Sequence, residues 1–389
     1  MNLNLLNLSE LESCQVLCDY SITSHILMVC TPPLTKQRRT VYMINILFLD
    51  LRGVSIMTEA MFYEKLEGGD VRCGLCNHRC RVKPDKRGIC GVRENQNGVL
   101  ETLVYGKLIA MHADPIEKKP LYHFIPGHLS YSIATVGCNF RCLHCQNADI
   151  SQMPSDGGVI MGDYVSPEDV ISQALDASCL SVAYTYTEPT IFFEYALDVA
   201  KLAKEKGLKN VFVSNGYMTE EATRTIGPYL DAINIDLKGD DEFYKKVCGA
   251  RQEPVKRSIE LMWDLGIWVE VTTLIIPGYN DSDSQLEEIA QFLAGVSPNI
   301  PWHVTAFYPT YKLKDAPPTS AQTIRRAIRI GKESGLNYVY GGNIPGEDED
   351  TVCPKCKTSL VERFAFKLAK SGIIEGKCPH CGEEIAGVW

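Results

Sequence analysis

Thr135-Val136-Gly137-Cys138-Asn139-Phe140-Arg141-Cys142-Leu143-His144-Cys145-Gln146-Asn147 is the stretch on which the reading of this chain turns. A short apolar run at 131–136 ends in a glycine, and three cysteines follow at C-x3-C-x2-C spacing. Glycine permits a tight turn out of a strand, so the loop can wrap a metal centre. No fourth cysteine lies nearby. Three thiolates holding a cubane iron–sulfur cluster leave one iron without a protein ligand, just as a catalytic zinc site keeps one position open. Substrate chemistry can happen at that open iron.

Outward from this loop, β-branched runs alternate with helical periodicity. The pattern predicts strands at 131–136, 181–186, 210–214, 232–237, 268–276 and 303–308. Helices are predicted at 167–177, 190–206, 220–230, 252–265, 283–293 and 321–334. Strands each followed by a helix indicate an α/β fold whose parallel sheet curls into a partial or complete (β/α) barrel, or else is doubly wound. In either architecture ligands gather at the carboxyl ends of the strands, so the residues just after each apolar run are the ones to interrogate.

The chain divides into four parts. Residues 1–56 show weak periodicity and receive no role; regular sequence begins near Met57 and Met61, a candidate translation start that would leave the upstream segment untranslated. Residues 57–129 form a Cys-rich N-terminal region, with short strands expected within 99–109. The barrel occupies 130–346 and a zinc ribbon 347–389. Across the 389 residues, 45% are apolar and 22% charged, an ordinary globular composition. With 39 Lys and Arg against 48 Asp and Glu, the net charge of -9 argues against a chain built to neutralise a phosphate backbone, so nucleic acid is disfavoured as a partner. The longest candidate membrane span, 43–57, is broken by Asp50 and Arg52. With no signal-peptide pattern at the start, the compartment expected is the cytoplasm.

Eleven of the sixteen cysteines fall into three tight groups, which points to metal or cluster ligation and not to disulfides. Besides Cys138, Cys142 and Cys145, Cys353-Pro-Lys-Cys356 and Cys378-Pro-His-Cys381 bring four thiolates together as a structural zinc ribbon does; a second redox cluster is the alternative. Cys73, Cys76, Cys80 and Cys90 lie within eighteen residues rich in Gly, Pro and basic side chains, which suits a small metal-tied knuckle. Zinc or an auxiliary iron–sulfur cluster fits those four, with zinc or a purely structural ion preferred. Cys179 and Cys248 read as packed thiols and the Lys118-Lys119 pair as a solvated turn.

The C-x3-C-x2-C loop after a first barrel strand resembles the radical S-adenosylmethionine (radical SAM) superfamily. Cys145-Gln146-Asn147 is similar to the activating enzymes of glycyl-radical proteins, such as pyruvate formate-lyase activating enzymes. The run from Gly106 to Phe124, with its Asp114-Pro115-Ile116-Glu117-Lys118-Lys119-Pro120 core, and the Cys73 to Cys90 knuckle before it resemble the radical SAM member of the AmmeMemoRadiSam system. The likeness covers residues from about 57 to 345.

The resemblance implies a [4Fe-4S] cluster on Cys138, Cys142 and Cys145 whose open iron chelates SAM. One electron would cleave the sulfonium to methionine and a 5'-deoxyadenosyl radical, which abstracts hydrogen from a protein or peptide substrate. It further implies an electron donor such as flavodoxin or ferredoxin. His144 stands where the family has an aromatic ring near adenine, and Asn147 belongs to the same loop. Glu188, in Thr-Tyr-Thr-Glu-Pro, stands where the family has Gly-Gly-Glu-Pro against the amino group of SAM. Ser214-Asn215-Gly216 is similar to the Thr-Asn-Gly of the activating enzymes, with Val213 in place of the preceding acid. Asp236-Leu237-Lys238 matches their Asp-Leu-Lys, where the lysine can pair with the methionyl carboxylate, and His303 resembles a histidine they place near SAM. Bland readings stand beside these: Glu188 as a helix cap, Asp236 and Lys238 as a surface ion pair, His303 as a satisfied strand histidine. A radical SAM enzyme modifying RNA or a small metabolite, or a non-enzymatic multi-zinc interaction module, are the competing functions.

Overall fold

The computed structural model describes residues 58–344, 349–364 and 366–389, together with two three-residue strands, Gln15–Leu17 and Leu27–Val29, that pair antiparallel. Apart from those two strands, the expectation for 1–56 lies outside the described residues. Met1–Val54 and Ser55–Trp389 are separate units, and the site belongs to the second.

Eight strands form the central sheet in sequence order: β1 (Ala110–Pro115), β2 (Leu129–Ala134), β3 (Ser181–Tyr184), β4 (Lys209–Ser214), β5 (Ala232–Asp236), β6 (Trp268–Ile275), β7 (Trp302–Ala306) and β8 (Val339–Gly342). β2 to β8 run parallel, while β1 pairs antiparallel at one edge, with Pro115 as its last residue. An edge strand end is where a residue without an N–H is tolerated. β1 and β8 do not pair with each other, so the barrel is partial.

All six strands read from the sequence are present. Two of the eight were missed: β1 lies just past the short strands expected within 99–109, and the apolar run of β8 is only Val339-Tyr340 before two glycines, too short to show a period. The helices also fall where the pattern put them: α1 (Pro167–Asp176), α2 (Phe193–Glu205), α3 (Glu220–Ile226), α4 (Glu253–Asp264), α5 (Asp283–Val296) and α6 (Ala321–Glu333). Ser166, Ser282 and Ser320 cap α1, α5 and α6 by accepting from the backbone three residues on. Two are shorter than the sequence suggests. Residues 189–192 form a 3-10 turn ahead of α2, and Gly227-Pro228 ends α3 because proline cannot continue a helix.

Alternation along the strands separates two faces. Ile133, Val182, Phe212, Ile233, Ile235 and Val271 pack in the main core, whereas Ser132, Asn234, Asp236, Glu270, Thr272 and His303 lie on the polar inner face. The segment after β1 plugs one end of that inner face. Ile116, Leu121 and Phe124 pack on Ala183, Val211 and Ala232, and the Pro120 carbonyl accepts from Asn234 Nδ2 at 2.9 Å.

Before the barrel, two three-stranded antiparallel sheets carry the knuckle: Thr58–Glu59, Val99–Thr102 and Arg93–Gln96 in one, Tyr63–Lys65, Val71–Cys73 and Arg81–Val82 in the other. After it, Thr351–Val352, Ser359–Phe364 and Lys367–Ser371 make the antiparallel ribbon. The ribbon is more than an appendage. Arg363 Nη2 donates to the Tyr122 carbonyl at 2.6 Å, and His123 Nδ1 meets the Ala386 carbonyl at 2.6 Å.

Candidate active site

The three cysteines leave the carboxyl end of β2 on a turn built around Gly137 at φ 106°. A Cβ there would lie 2.6 Å from Val92 Cγ1 and 3.2 Å from the Cys90 carbonyl. Glycine is therefore needed both for the backbone conformation and for the close approach of the knuckle. From another side, the Arg141 and Leu143 amides donate to the Cys248 and Val247 carbonyls at 2.8 and 3.0 Å. Phe140 N approaches Cys138 Sγ at 3.4 Å, and Cys145 Sγ meets Ser151 Oγ at 3.2 Å.

The thiols feel opposed fields. Burial, followed by the Glu188 carboxylate and Cys142, pushes the Cys138 thiol well up. A hydrogen bond with the Cys248 thiol is the main influence lowering Cys142, assisted by Lys238 against burial. Cys248 is thus a packed thiol, as expected, but it is packed against Cys142 of the cysteine loop. Its position twelve residues after β5 gave no sequence signal of that contact.

Loops after β3, β4 and β5 converge on the cysteines. Glu188 is buried and its carboxylate is saturated: Oε1 accepts from Thr190 N, Thr190 Oγ1 and Ser214 Oγ at 3.0, 2.6 and 2.8 Å, and Oε2 from Asn215 N at 2.8 Å. It does cap the turn beginning at Pro189, and through Ser214 and Asn215 it also ties the β3 loop to the β4 loop. Asn215 Nδ2 continues to Asn139 Oδ1 at 2.7 Å and Cys138 Sγ at 3.9 Å. Asn147 Nδ2 donates to the Tyr186 carbonyl at 2.7 Å, so the cysteine loop also holds the β3 loop.

Lys238 pairs with Asp236 at 2.8 Å, their side chains 14% and 33% exposed. Burial opposes its charge, but Asp236 and Cys142 outweigh it and hold the ammonium protonated. This is a half-buried pair beside the Cys142 thiol, not a free surface pair. His144 is buried with Nδ1 lacking a partner. Burial and then Lys238 lower it to about 3, so the ring is neutral near pH 7. His303 Nε2 meets Glu270 Oε2 at 2.7 Å, with its ring stacked on Tyr340 and edge-on to Tyr122. The polar contact shown for His303 is therefore to β6 and not to the cysteine loop.

A buried network was not legible in the sequence. Lys119 is only 2% exposed; its Nζ contacts Asp114 Oδ2 at 2.8 Å and lies 4.5 Å above the Tyr186 ring. Lys118, the Ser132 hydroxyl and the Tyr186 hydroxyl also donate to Asp114. Burial would raise the Asp114 carboxyl, yet these bonds hold it well below the usual range, while burial lowers Lys119 to about 8. The expected solvated turn at Lys118-Lys119 is corrected: the second lysine turns inward to an acid on β1 and a ring from the loop after β3.

Among the described residues, one group of four side chains gathers to single-ion distance: Cys353, Cys356, Cys378 and Cys381. Two of its sulfur pairs stand 3.6 Å apart. Tetrahedral thiolates about 2.3 Å from one zinc would lie roughly 3.8 Å apart. Cys138, Cys142 and Cys145 form no such compact group, as expected where each thiolate bonds a different iron. The donor set suits an open-iron cluster: three thiols, an unpartnered buried imidazole nitrogen and a buried ammonium around one strand end.

Comparison with known proteins agrees with this geometry. Residues 132–293 match the family model described as Radical SAM superfamily. The chain is 46% identical over 333 residues to the uncharacterised protein MJ0808 of Methanocaldococcus jannaschii, covering 85% of this chain and 99% of that one. It is 23% identical to the pyruvate formate-lyase-activating enzyme of Clostridium pasteurianum, over 41% of this chain and 67% of that one. A solved domain of the Bacteroides vulgatus pyruvate-formate lyase-activating enzyme aligns with 42% of this chain and 99% of its own at 20% identity and a TM-score of 0.37. With its cysteine loop at the end of the first parallel strand and the family match over residues 132–293, the chain belongs to the radical SAM superfamily.

Proposed function

We propose that the protein is an activating-enzyme-like radical SAM oxidoreductase that abstracts hydrogen from a protein or peptide. The observation that carries this is the convergence of Glu188, Ser214, Asn215 and Lys238 on the Cys138–Cys142–Cys145 loop. Relatives named as activating enzymes for pyruvate formate-lyase and glycyl-radical enzymes support the substrate class. When bound, the [4Fe-4S] cluster and SAM supply a one-electron cleavage of the sulfonium to methionine and a 5'-deoxyadenosyl radical.

The chain's own residues bind, orient and exclude water. Cys138, Cys142 and Cys145 would each hold one iron of the cluster. Lys238 offers a fixed positive charge to a ligand carboxylate, and neutral His144 offers a face to adenine and an unpartnered Nδ1. Glu188, with both oxygens committed, acts as a brace that sets the Ser214–Asn215 loop against Cys138. A flavodoxin or ferredoxin would donate the electron. Free thiols throughout the described chain suit a reducing compartment, consistent with a cytoplasmic protein. No helix among the described residues is long and apolar enough to cross a membrane.

The test is anaerobic turnover of reconstituted protein with SAM and a reductant, reading 5'-deoxyadenosine. Product is expected from the wild type and not from Cys142→Ser. Equal rates would overturn the assignment.

A further inference from the structure

The knuckle thiols do not gather as the ribbon thiols do. Cys73, Cys76, Cys80 and Cys90 all line one cavity, together with Arg93 and Asn139. No three of them come within single-ion distance, whereas the ribbon's four do so in the same molecule. A lone zinc needs its thiolates drawn in to roughly 3.8 Å of each other. A cubane bonds each thiolate to a different iron and so requires a wider ring. The knuckle shares this spread arrangement with Cys138, Cys142 and Cys145, and it has the fourth cysteine that they lack.

The cavity wall supplies a second, independent sign. Arg93 and Asn139 are each 1% exposed, and each carries a buried donor nitrogen with no partner, Nε and Nδ2 respectively. Buried donors without acceptors are costly, so two of them around one cavity call for acceptors inside it. Bridging sulfides of a cluster offer such acceptors; a zinc ion offers none. Arg93 already reaches Cys73 Sγ with Nη1 at 3.4 Å, while its ion pair with Glu194 fixes the guanidinium in place. A hydrogen-bonded sulfur and a fixed cation both tune the potential of an iron–sulfur cluster.

We propose that Cys73, Cys76, Cys80 and Cys90 ligate a second [4Fe-4S] cluster, fully thiolate-bound and structurally separate from the SAM-binding one. It adjoins the first cysteine loop. The Asn139 carbonyl meets His78 Nε2 at 2.8 Å on the knuckle side, and the Asn139 side chain lies 3.8 Å from Cys138 Sγ on the other. Gly137 packs against the Cys90 carbonyl.

The experiment is metal and sulfide analysis with Mössbauer spectroscopy on the full chain, produced and kept without oxygen. The wild type should hold about eight irons with a single zinc. A Cys138→Ala/Cys142→Ala/Cys145→Ala variant should keep about four irons as a cubane, and adding Cys76→Ser and Cys80→Ser should bring iron to background. About four irons and two zincs in the wild type would overturn the proposal without touching the assignment of the first cluster. An iron-free triple variant whose far-ultraviolet circular dichroism matches the wild type would overturn it equally. The proposal does not depend on SAM turnover, so a wild type with eight irons and no 5'-deoxyadenosine would sink the proposed function alone.

Discussion

Glu188→Ala removes the brace between two site loops, and the structure sets the size of the effect. The carboxylate accepts four hydrogen bonds, two from the backbone amides of Thr190 and Asn215 and two from the hydroxyls of Thr190 and Ser214. The hydroxyls can rotate to other acceptors, but the two amides are fixed. Each buried donor left unmade costs about 1–3 kcal/mol, so a loss of about 4 kcal/mol is expected. Unfolding entropy near 2 cal/mol/K per residue, over the roughly 330 residues of Ser55–Trp389, gives about 0.7 kcal/mol/K. The melting temperature should therefore fall by about 6 °C. Glu188→Gln keeps one acceptor oxygen and turns a donor toward the Asn215 amide, so its drop should be about 2–3 °C. Differential scanning calorimetry of anaerobic protein reads both, with iron content as the control for cluster loss. A Glu188→Ala melt within one degree of the wild type would refute the brace, because no other acceptor for those amides is found among the described residues.

Lys119→Met should destabilise by about 3–5 kcal/mol in denaturant titration, since it leaves Asp114 buried beside Tyr186 with only the half-exposed Lys118 to balance it. A double variant with Asp114→Asn should recover much of that loss; no recovery would show that the pair is not coupled. Burial lowers His123 from its ordinary 6.5 to about 4, with Glu270 opposing. The unfolded chain then takes up a proton below about pH 6.5 that the folded one refuses until about pH 4. Stability should be full above pH 6.5 and fall by about 3 kcal/mol across that window, and His123→Gln should flatten this limb of the stability–pH curve. Cys378→Ser should lose one zinc per chain and loosen the ribbon, exposing Tyr122 and Tyr340 to solvent in fluorescence quenching while the irons stay bound.

How much was legible varied with the range of the interaction. The β-branched runs and helical periods yielded six strands and six helices, because local propensity and face alternation are written in consecutive residues. Strand β8 and the boundaries at Pro189 and Gly227-Pro228 were lost where a run was too short or a proline intervened. The C-x3-C-x2-C loop and the ribbon pairs were plain, since a metal site built from neighbours in sequence carries its own spacing. Cys248 against Cys142, Lys119 turned inward to Asp114 and Tyr186, and the docking of the ribbon on Tyr122 and His123 were invisible.

By itself, then, the order of residues determined that a parallel α/β sheet would carry three thiolates at the end of its first parallel strand. Only the folded chain decided which of the thiol groups contract to the size of one ion and which stay spread, because that depends on backbone segments far apart in sequence being held at fixed distances. It also decided that Glu188 is an internal brace and Lys119 a buried cation. Those roles come from partners 26 and 27 residues away at Ser214 and Asn215, and in the loop after β3 at Tyr186, and burial without compensation would be too costly for either charge to stand alone.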